Sequence, residues 1–211
     1  MVRALGWMES ISASSQSRAR PSARSARHAP QAPNVPDPKT VPLPNSDWLL
    51  GEDGGDFLSG EAWNDTLFGG VGGDGLYDGD DADRLHGAGG GDFLFGGDGR
   101  DGLHGEDGRD FLDGVGGDDV LFGGNSSDTF KFRARRGSDT DTIRDFKDDG
   151  DTIVLDGAAL GVTSKADVLS RATVLDENTV FTFDTDDVTG DVLIVENIAD
   201  PSLLRDDIVI V

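Results

Sequence analysis

Ten aspartates recur at a fixed spacing of nine residues: Asp47, Asp56, Asp65, Asp74, Asp83, Asp92, Asp101, Asp110, Asp119 and Asp128. Two residues after each stands an apolar side chain, in order Leu49, Leu58, Leu67, Leu76, Leu85, Leu94, Leu103, Leu112, Leu121 and Phe130. Most of the intervening sequence is glycine and acidic residues. A register held without a slip from Asp47 to Phe130 is not a product of chance, and it restricts the chain to repetitive architectures.

The residues flanking each leucine are enough for one short strand, in which alternation turns the leucine inward and its two neighbours outward. The six residues before it must form a tight turn, and glycine allows the positive φ that such turns need. Two repeats then complete one coil, with leucines of alternate repeats lining opposite walls of a thin core. A single coil cannot bury its own leucines, so stability comes from stacking neighbours.

In such a coil, residues eighteen apart lie above one another. Asp56, Asp74, Asp92 and Asp110 align on one side, and Asp65, Asp83, Asp101 and Asp119 on the other. Stacked carboxylates repel unless a cation separates them. Calcium suits the geometry, because it accepts six to eight oxygen ligands, carboxylate or carbonyl, whereas magnesium demands a stricter octahedron and keeps its waters. The expected ligands of several Ca2+ ions are these eight aspartates and the turn glycines Gly69, Gly72, Gly87, Gly90, Gly96, Gly99, Gly105 and Gly108. A disordered acidic tract would share the composition, yet has no reason to keep the leucine register. Both states fit one chain if metal binding supplies the folding energy.

The clearest units, Gly69-Gly70-Val71-Gly72-Gly73-Asp74-Gly75-Leu76-Tyr77 and Gly96-Gly97-Asp98-Gly99-Arg100-Asp101-Gly102-Leu103-His104, match G-G-x-G-x-D-x-U-x. Residues 47–131 therefore resemble an RTX domain, the hemolysin-type calcium-binding repeat. The resemblance implies an all-β, right-handed parallel β-roll with two nine-residue repeats per coil. Some units depart from the pattern. Trp63 stands at a third-glycine position, Asp78 at a first and Ser126 at a third. Asp tolerates the left-handed region better than most residues, and Trp does not. Weak or missing ions are expected near Trp63 and at both ends of the stack, and firm sites in the middle.

The net charge of −23 is uneven: +4 over residues 1–46, −18 over 47–130 and −9 over the remainder. Phosphate binding needs the opposite sign, so nucleic acid is excluded as a partner of this face. The chain has no cysteine, so neither disulfides nor thiolate metal sites are available. It contains neither an apolar run long enough for a transmembrane helix nor an N-terminal apolar signal stretch. RTX proteins usually leave Gram-negative bacteria through type I secretion machinery, using an uncleaved C-terminal signal. The ending Asp206-Asp207-Ile208-Val209-Ile210-Val211 looks like such a signal, and the resemblance implies a secreted, extracellular protein.

Residues 1–46 are rich in Ser, Ala, Arg and Pro and read as a disordered arm. After Phe130, the stretch Asp139-Thr140-Asp141-Thr142-Ile143-Arg144-Asp145-Phe146, followed by Gly150-Asp151-Thr152-Ile153-Val154-Leu155, resembles the region after the repeats in serralysin-type secreted proteases. Residues 132–211 are expected to form a β-rich cap carrying the secretion signal, because an open solenoid end exposes apolar side chains and strand edges. Its strands are expected at Ile153–Leu155, Val180–Phe183, Val192–Val195 and Ile208–Val211. A short helix near 165–171 follows from the capping box begun by Ser164.

No H-E-x-x-H or G-x-S-x-G motif is present, so the serralysin likeness carries no protease activity with it, and a non-catalytic protein is expected. Formal dinucleotide fingerprints at Gly70–Gly75 and Gly97–Gly102 are by-products of the repeat. His86 and His104 should stack as outward neighbours, either as plain strand positions or as a second-metal or pH-sensing pair. Phe57, Tyr77, Phe93, Phe95 and Phe111 form an outward aromatic wall. Either the C-terminal segment folds back over that wall, or it serves self-association, a cell-surface partner or a carbohydrate.

Overall fold

Strict alternation around each leucine produces one strand per repeat in the computed structural model, which describes residues 23–25, 46–133, 139–148, 150–183 and 190–211. The first nine strands are β1 (Ala23–Ser25), β2 (Trp48–Asp53), β3 (Phe57–Ala62), β4 (Thr66–Val71), β5 (Gly75–Asp80), β6 (Arg84–Gly90), β7 (Phe93–Asp98), β8 (Gly102–Gly108) and β9 (Phe111–Gly116). They are followed by β10 (Val120–Asn125), β11 (Thr129–Phe132), β12 (Thr140–Ile143), β13 (Thr152–Leu155), β14 (Ala172–Leu175), β15 (Asn178–Phe183), β16 (Asp191–Val195) and β17 (Ile208–Ile210). One sheet runs β1-β2-β4-β6-β8-β10-β12-β16-β15-β14, the other β17-β13-β11-β9-β7-β5-β3. This is the expected all-β parallel β-roll, with successive strands from β2 to β13 placed on opposite walls.

The register is that of the sequence repeat. Leu49, Leu67, Leu85, Leu103 and Leu121 pair in line on one wall. Leu58, Leu76, Leu94, Leu112 and Phe130 do so on the other. Both rows are buried. Burying one leucine contributes about 1.5–3 kcal/mol, and each of these side chains depends on coils above and below for its cover.

The parallel stack continues beyond residue 131. Ile143 pairs with Leu121 and with Val195, and Ile153 pairs with Phe130 and with Ile208. The segments Asp141-Thr142-Ile143 and Asp151-Thr152-Ile153 repeat the aspartate–x–apolar unit at a longer spacing. The C-terminal part therefore extends the two walls, and among the described residues none of it folds back over the aromatic face. Phe57 and Phe93 each remain 54% exposed and Tyr77 38%. The stack ends where β16, β15 and β14 turn antiparallel.

A one-turn helix, α1 (Gly157–Leu160), and a second helix, α2 (Lys165–Ser170), connect β13 to β14, and a 3-10 turn spans Pro201–Arg205. Ser164 caps α2 by accepting the Asp167 N–H, as expected of its capping box. The terminal strand β17 lies in the sheet and stops at Ile210, one residue short of the expected end, with the Val211 N–H still donating to the Leu155 carbonyl. The arm expected over residues 1–46 lies outside the described residues except at 23–25 and 46. There β1 pairs in parallel with β2, from Ala23 opposite Trp48 to Ser25 opposite Leu50.

Candidate metal centre

Every turn between the repeat strands β2 to β11 ends on the repeat aspartate, so the coil stacks these residues in two columns, one along each edge of the roll. One column holds Asp47, Asp65, Asp83, Asp101 and Asp119, continued by Asp141. The other holds Asp56, Asp74, Asp92, Asp110 and Asp128, continued by Asp151. Within each, an aspartate accepts the backbone N–H of the aspartate one coil earlier through Oδ1. The Asp56 N–H donates to Asp74 at 2.8 Å, Asp65 to Asp83 at 2.7 Å, Asp83 to Asp101 at 2.9 Å and Asp92 to Asp110 at 2.9 Å. The donor and acceptor are eighteen residues apart inside the repeats, rising to 22 at Asp119–Asp141 and 23 at Asp128–Asp151.

The second oxygen is different. Oδ2 of Asp65, Asp74, Asp83, Asp92, Asp101, Asp110, Asp119 and Asp128 is buried and has no hydrogen-bond partner. A buried anionic oxygen without a partner is costly. Burial is accordingly the main cause that raises these carboxyls: Asp65, Asp74, Asp101, Asp110 and Asp128 to about 6, and Asp83 and Asp119 to about 7. The hydrogen bond from the preceding aspartate's backbone lowers each one, and in most of them a stacked neighbour's charge raises it again.

The turn glycines fit around these oxygens for two distinct reasons. First-position glycines leave room for the carboxylate: a Cβ on Gly69 would stand 2.5 Å from Asp74 Oδ2 and 2.8 Å from the Gly87 carbonyl. Gly87, Gly96 and Gly105 are crowded in the same way by Asp92, Asp101 and Asp110. They do not take positive φ, so the left-handed tolerance expected to excuse Asp78 is not what that position requires. Positive φ falls instead on the second position, even where Glu52, Glu61, Ala88, Glu106 or Val115 occupies it, and on the fourth except at Gly99. At the fourth, Gly72, Gly90 and Gly108 lie between +140° and +149°, packed against a carbonyl of the coil before, and Gly99 is similarly crowded by the Asp81 carbonyl. Trp63, Asp81 and Ser126 take that turn at +83° to +86°.

Among the described residues no three His, Asp or Glu side chains gather as a metal cluster. A cation along these edges would therefore be held by a mixed set of aspartate Oδ2 atoms and backbone carbonyls. That donor set is all oxygen, which suits calcium. Aspartates outside the expected ligand set include Asp128, Asp141 and Asp151, which continue the columns, and the buried Asp78 and Asp113. The first three carry a legible signal, an apolar residue two places on. Asp113 pairs with Arg133, a contact that no spacing announces.

His86 and His104 do stack, with centroids 4.9 Å apart, inside a longer column. Phe68 lies 4.8 Å from His86 and Phe122 4.6 Å from His104, all nearly parallel. His86 Nδ1 lies 3.0 Å from Glu106 Oε1. On the opposite wall Tyr77 stacks on Phe95 at 4.7 Å, flanked by Phe57 and Phe111.

Short parallel strands wound in two walls, with columns of half-satisfied carboxylates over glycine turns, define a calcium-binding β-roll. The profile of the RTX calcium-binding nonapeptide repeat (4 copies) matches residues 44–76, 76–112 and 104–131. The chain belongs to this family, and its cation is calcium. It is 33% identical to the AlgE6R3 subunit from the Azotobacter vinelandii mannuronan C5-epimerase, whose solution structure it matches with a TM-score of 0.50 over 62% of this chain and 78% of that one. The extracellular lipase LipA from Serratia marcescens is a more distant neighbour: 14% identity and a TM-score of 0.40 over 81% of this chain and 39% of that one. No curated protein sequence matches significantly. The repeat match ends at residue 131 and adds nothing to the serralysin likeness of the C-terminal part.

Proposed function

We propose that this chain is a non-catalytic, secreted module whose roll is folded by calcium after export through type I machinery. The observation that carries the reading is the pair of columns of buried Oδ2 atoms without partners, from Asp65 to Asp128. In this reading Asp56, Asp65, Asp74, Asp83, Asp92, Asp101, Asp110 and Asp119 supply carboxylate ligands. Carbonyls of Gly69, Gly72, Gly87, Gly90, Gly96, Gly99, Gly105 and Gly108 complete the shells. At low intracellular calcium the charged columns repel and the chain stays open, as passage through a narrow channel requires. Extracellular calcium near 10⁻⁴–10⁻³ M fills sites of that class and closes the coil. The domain division that accompanies the reading is an arm over 1–46, repeats over 47–131 and a capping and export region over 132–211. Likeness to one subunit of an epimerase supports an accessory role.

Circular dichroism of chelated protein during a calcium titration, with magnesium as control, tests the reading. A cooperative gain of β-signal with calcium alone is expected. A roll already folded in chelator, or a chain still unfolded at millimolar calcium, would overturn it.

One observation favours a second reading, a calcium-dependent adhesin or self-associating surface protein. Phe57, Tyr77 and Phe93 are exposed beside Phe95 and Phe111 on one continuous wall, and apolar patches of this kind mark interfaces. Sedimentation with and without calcium separates the two readings: a monomer at high concentration in both conditions removes the self-associating form.

A further inference from the structure

The stacked turns 60–65 and 78–83 depart from the repeat together. Trp63 and Asp81 replace fourth-position glycines, and Asp78 replaces a first-position glycine. At Gly51, Gly69, Gly87, Gly96 and Gly105, the space where a Cβ would stand is bounded by Oδ2 of the same unit's aspartate. The carbonyl of the first residue one coil on bounds it too: Gly69, Gly87, Gly105, Gly114 or Gly123. At Gly60, Asp78 Oδ1 takes the place of that carbonyl, with Asp65 Oδ2 at 2.6 Å from the same point. Asp78 is 2% exposed, and neither of its carboxylate oxygens has a hydrogen-bond partner. Asp78 Oδ1 and Asp65 Oδ2 thus crowd the same side of Gly60, and two buried carboxylates so close together are stabilised by a positive charge beside them.

We propose that Asp78 is a direct side-chain ligand of a calcium ion held between the turns 60–65 and 78–83, alongside Asp65. This rests on the calcium reading above and adds a ligand that the repeat pattern does not supply. It also reverses the expectation of a weak site at Trp63. With Trp63 at φ +86° in place of the wider angles of Gly72, Gly90 and Gly108, its peptide is aimed differently. The Trp63 N–H is tied to Asp81 Oδ2 at 3.2 Å. A carboxylate from Asp78 compensates for a carbonyl ligand turned aside there. The same turn carries its own reporter, because the Trp63 indole belongs to the loop that wraps the ion.

The test uses the full chain and terbium, a hard cation of calcium-like coordination, read through indole-sensitised emission and displaced by calcium. Trp63→Phe assigns the part of the signal that arises at this turn. Asp78→Asn keeps the side chain's shape, and Asp78→Gly restores the repeat residue; circular dichroism at saturating calcium verifies folding of both. The expected result is a Trp63-dependent emission whose midpoint weakens about tenfold or more in both variants, with the remaining sites unchanged. An unchanged midpoint would remove Asp78 from the ligand set. Tighter binding by Asp78→Gly would mean that the carboxylate plugs the cradle, and wild-type protein without Trp63-dependent emission would mean that no ion sits there. Failure of the whole chain to bind calcium would instead overturn the broader reading.

Discussion

Asp92 accepts the backbone N–H of Asp74 at 2.8 Å across one full coil, and its other carboxylate oxygen is buried with no hydrogen-bond partner. One side chain thus pins two coils together with Oδ1, and in the proposed reading its Oδ2 is the atom that meets calcium. The two tasks are separable, because the carbonyl oxygen of an asparagine still accepts the N–H while the charge is gone.

Asp92→Asn is therefore expected to act in opposite directions in two buffers. At saturating calcium, denaturant unfolding should show a loss of about 1–3 kcal/mol, the scale of a lost charged contact. In chelator the variant should retain more β-signal than wild type, because one of the stacked charges is removed. A loss of equal size in both buffers would reduce Asp92 to a structural hydrogen-bond acceptor.

The two kinds of turn glycine predict contrasting substitutions. Gly96 is not at positive φ, but a Cβ there would collide with Asp101 Oδ2 and stand 2.9 Å from the Gly114 carbonyl. Gly96→Ala should cost about 1–3 kcal/mol at saturating calcium, as overpacking does. Ala88 sits at φ +75°, where a Cβ is strained by about 1–2 kcal/mol. Ala88→Gly should recover part of that, with glycine's chain entropy opposing. Denaturation midpoints measure both, and destabilisation by Ala88→Gly would show that its methyl group contributes packing that outweighs the strain.

Much of this architecture is legible from spacing. The inward leucines, the two edges and the partners eighteen residues apart all follow from counting nines, because a solenoid converts sequence period directly into spatial neighbourhood. Capping by Ser164 and the strand positions in the C-terminal part follow from local chemistry. What spacing hides is any event that breaks the period. The coils ending at Asp141 and Asp151 lengthen to 22 and 23 residues, so Asp141-Thr142-Ile143 reads as a separate cap and not as one more rung. The aromatic wall looks in need of cover from its composition, yet a segment that carries the same rung chemistry gains more by extending the walls. The role of first-position glycine, clearance for a neighbour's carboxylate, depends on a contact one coil away and is invisible locally.

Calcium-free protein should respond to acid in an unusual direction. Asp83 and Asp119 are raised to about 7 and Asp74 and Asp110 to about 6, chiefly by burial. A carboxyl raised in the folded state favours folding fully below its unfolded value near 3.8, and that contribution is lost as pH rises through about 6–7. In chelator, the β-signal should accordingly be greater at pH 5 than at pH 7.5, protons standing in for calcium. Calcium binding at pH 6.5 should release protons, detectable as a buffer-dependent heat. An apo chain equally unfolded at both pH values would contradict the buried geometry of these carboxylates.

His104 predicts an effect of the opposite sign on the outer face. Burial lowers it, followed by the adjacent His86, against opposition from Glu106 and Asp145. It stacks between His86 at 4.9 Å and Phe122 at 4.6 Å. A histidine held below its unfolded value of 6.5 contributes stability above that pH, and the contribution disappears as acid charges the ring. In the calcium-loaded protein, His104→Phe should match wild type at pH 8 and be the more stable of the two at pH 5.5, because the column of rings then contains one less group to protonate. Denaturant unfolding at the two pH values reads this difference, and an NMR titration of His104 should place its midpoint below 6.5. A midpoint above 6.5 would show that Glu106 and Asp145 outweigh burial, and the variant's advantage at low pH would then vanish.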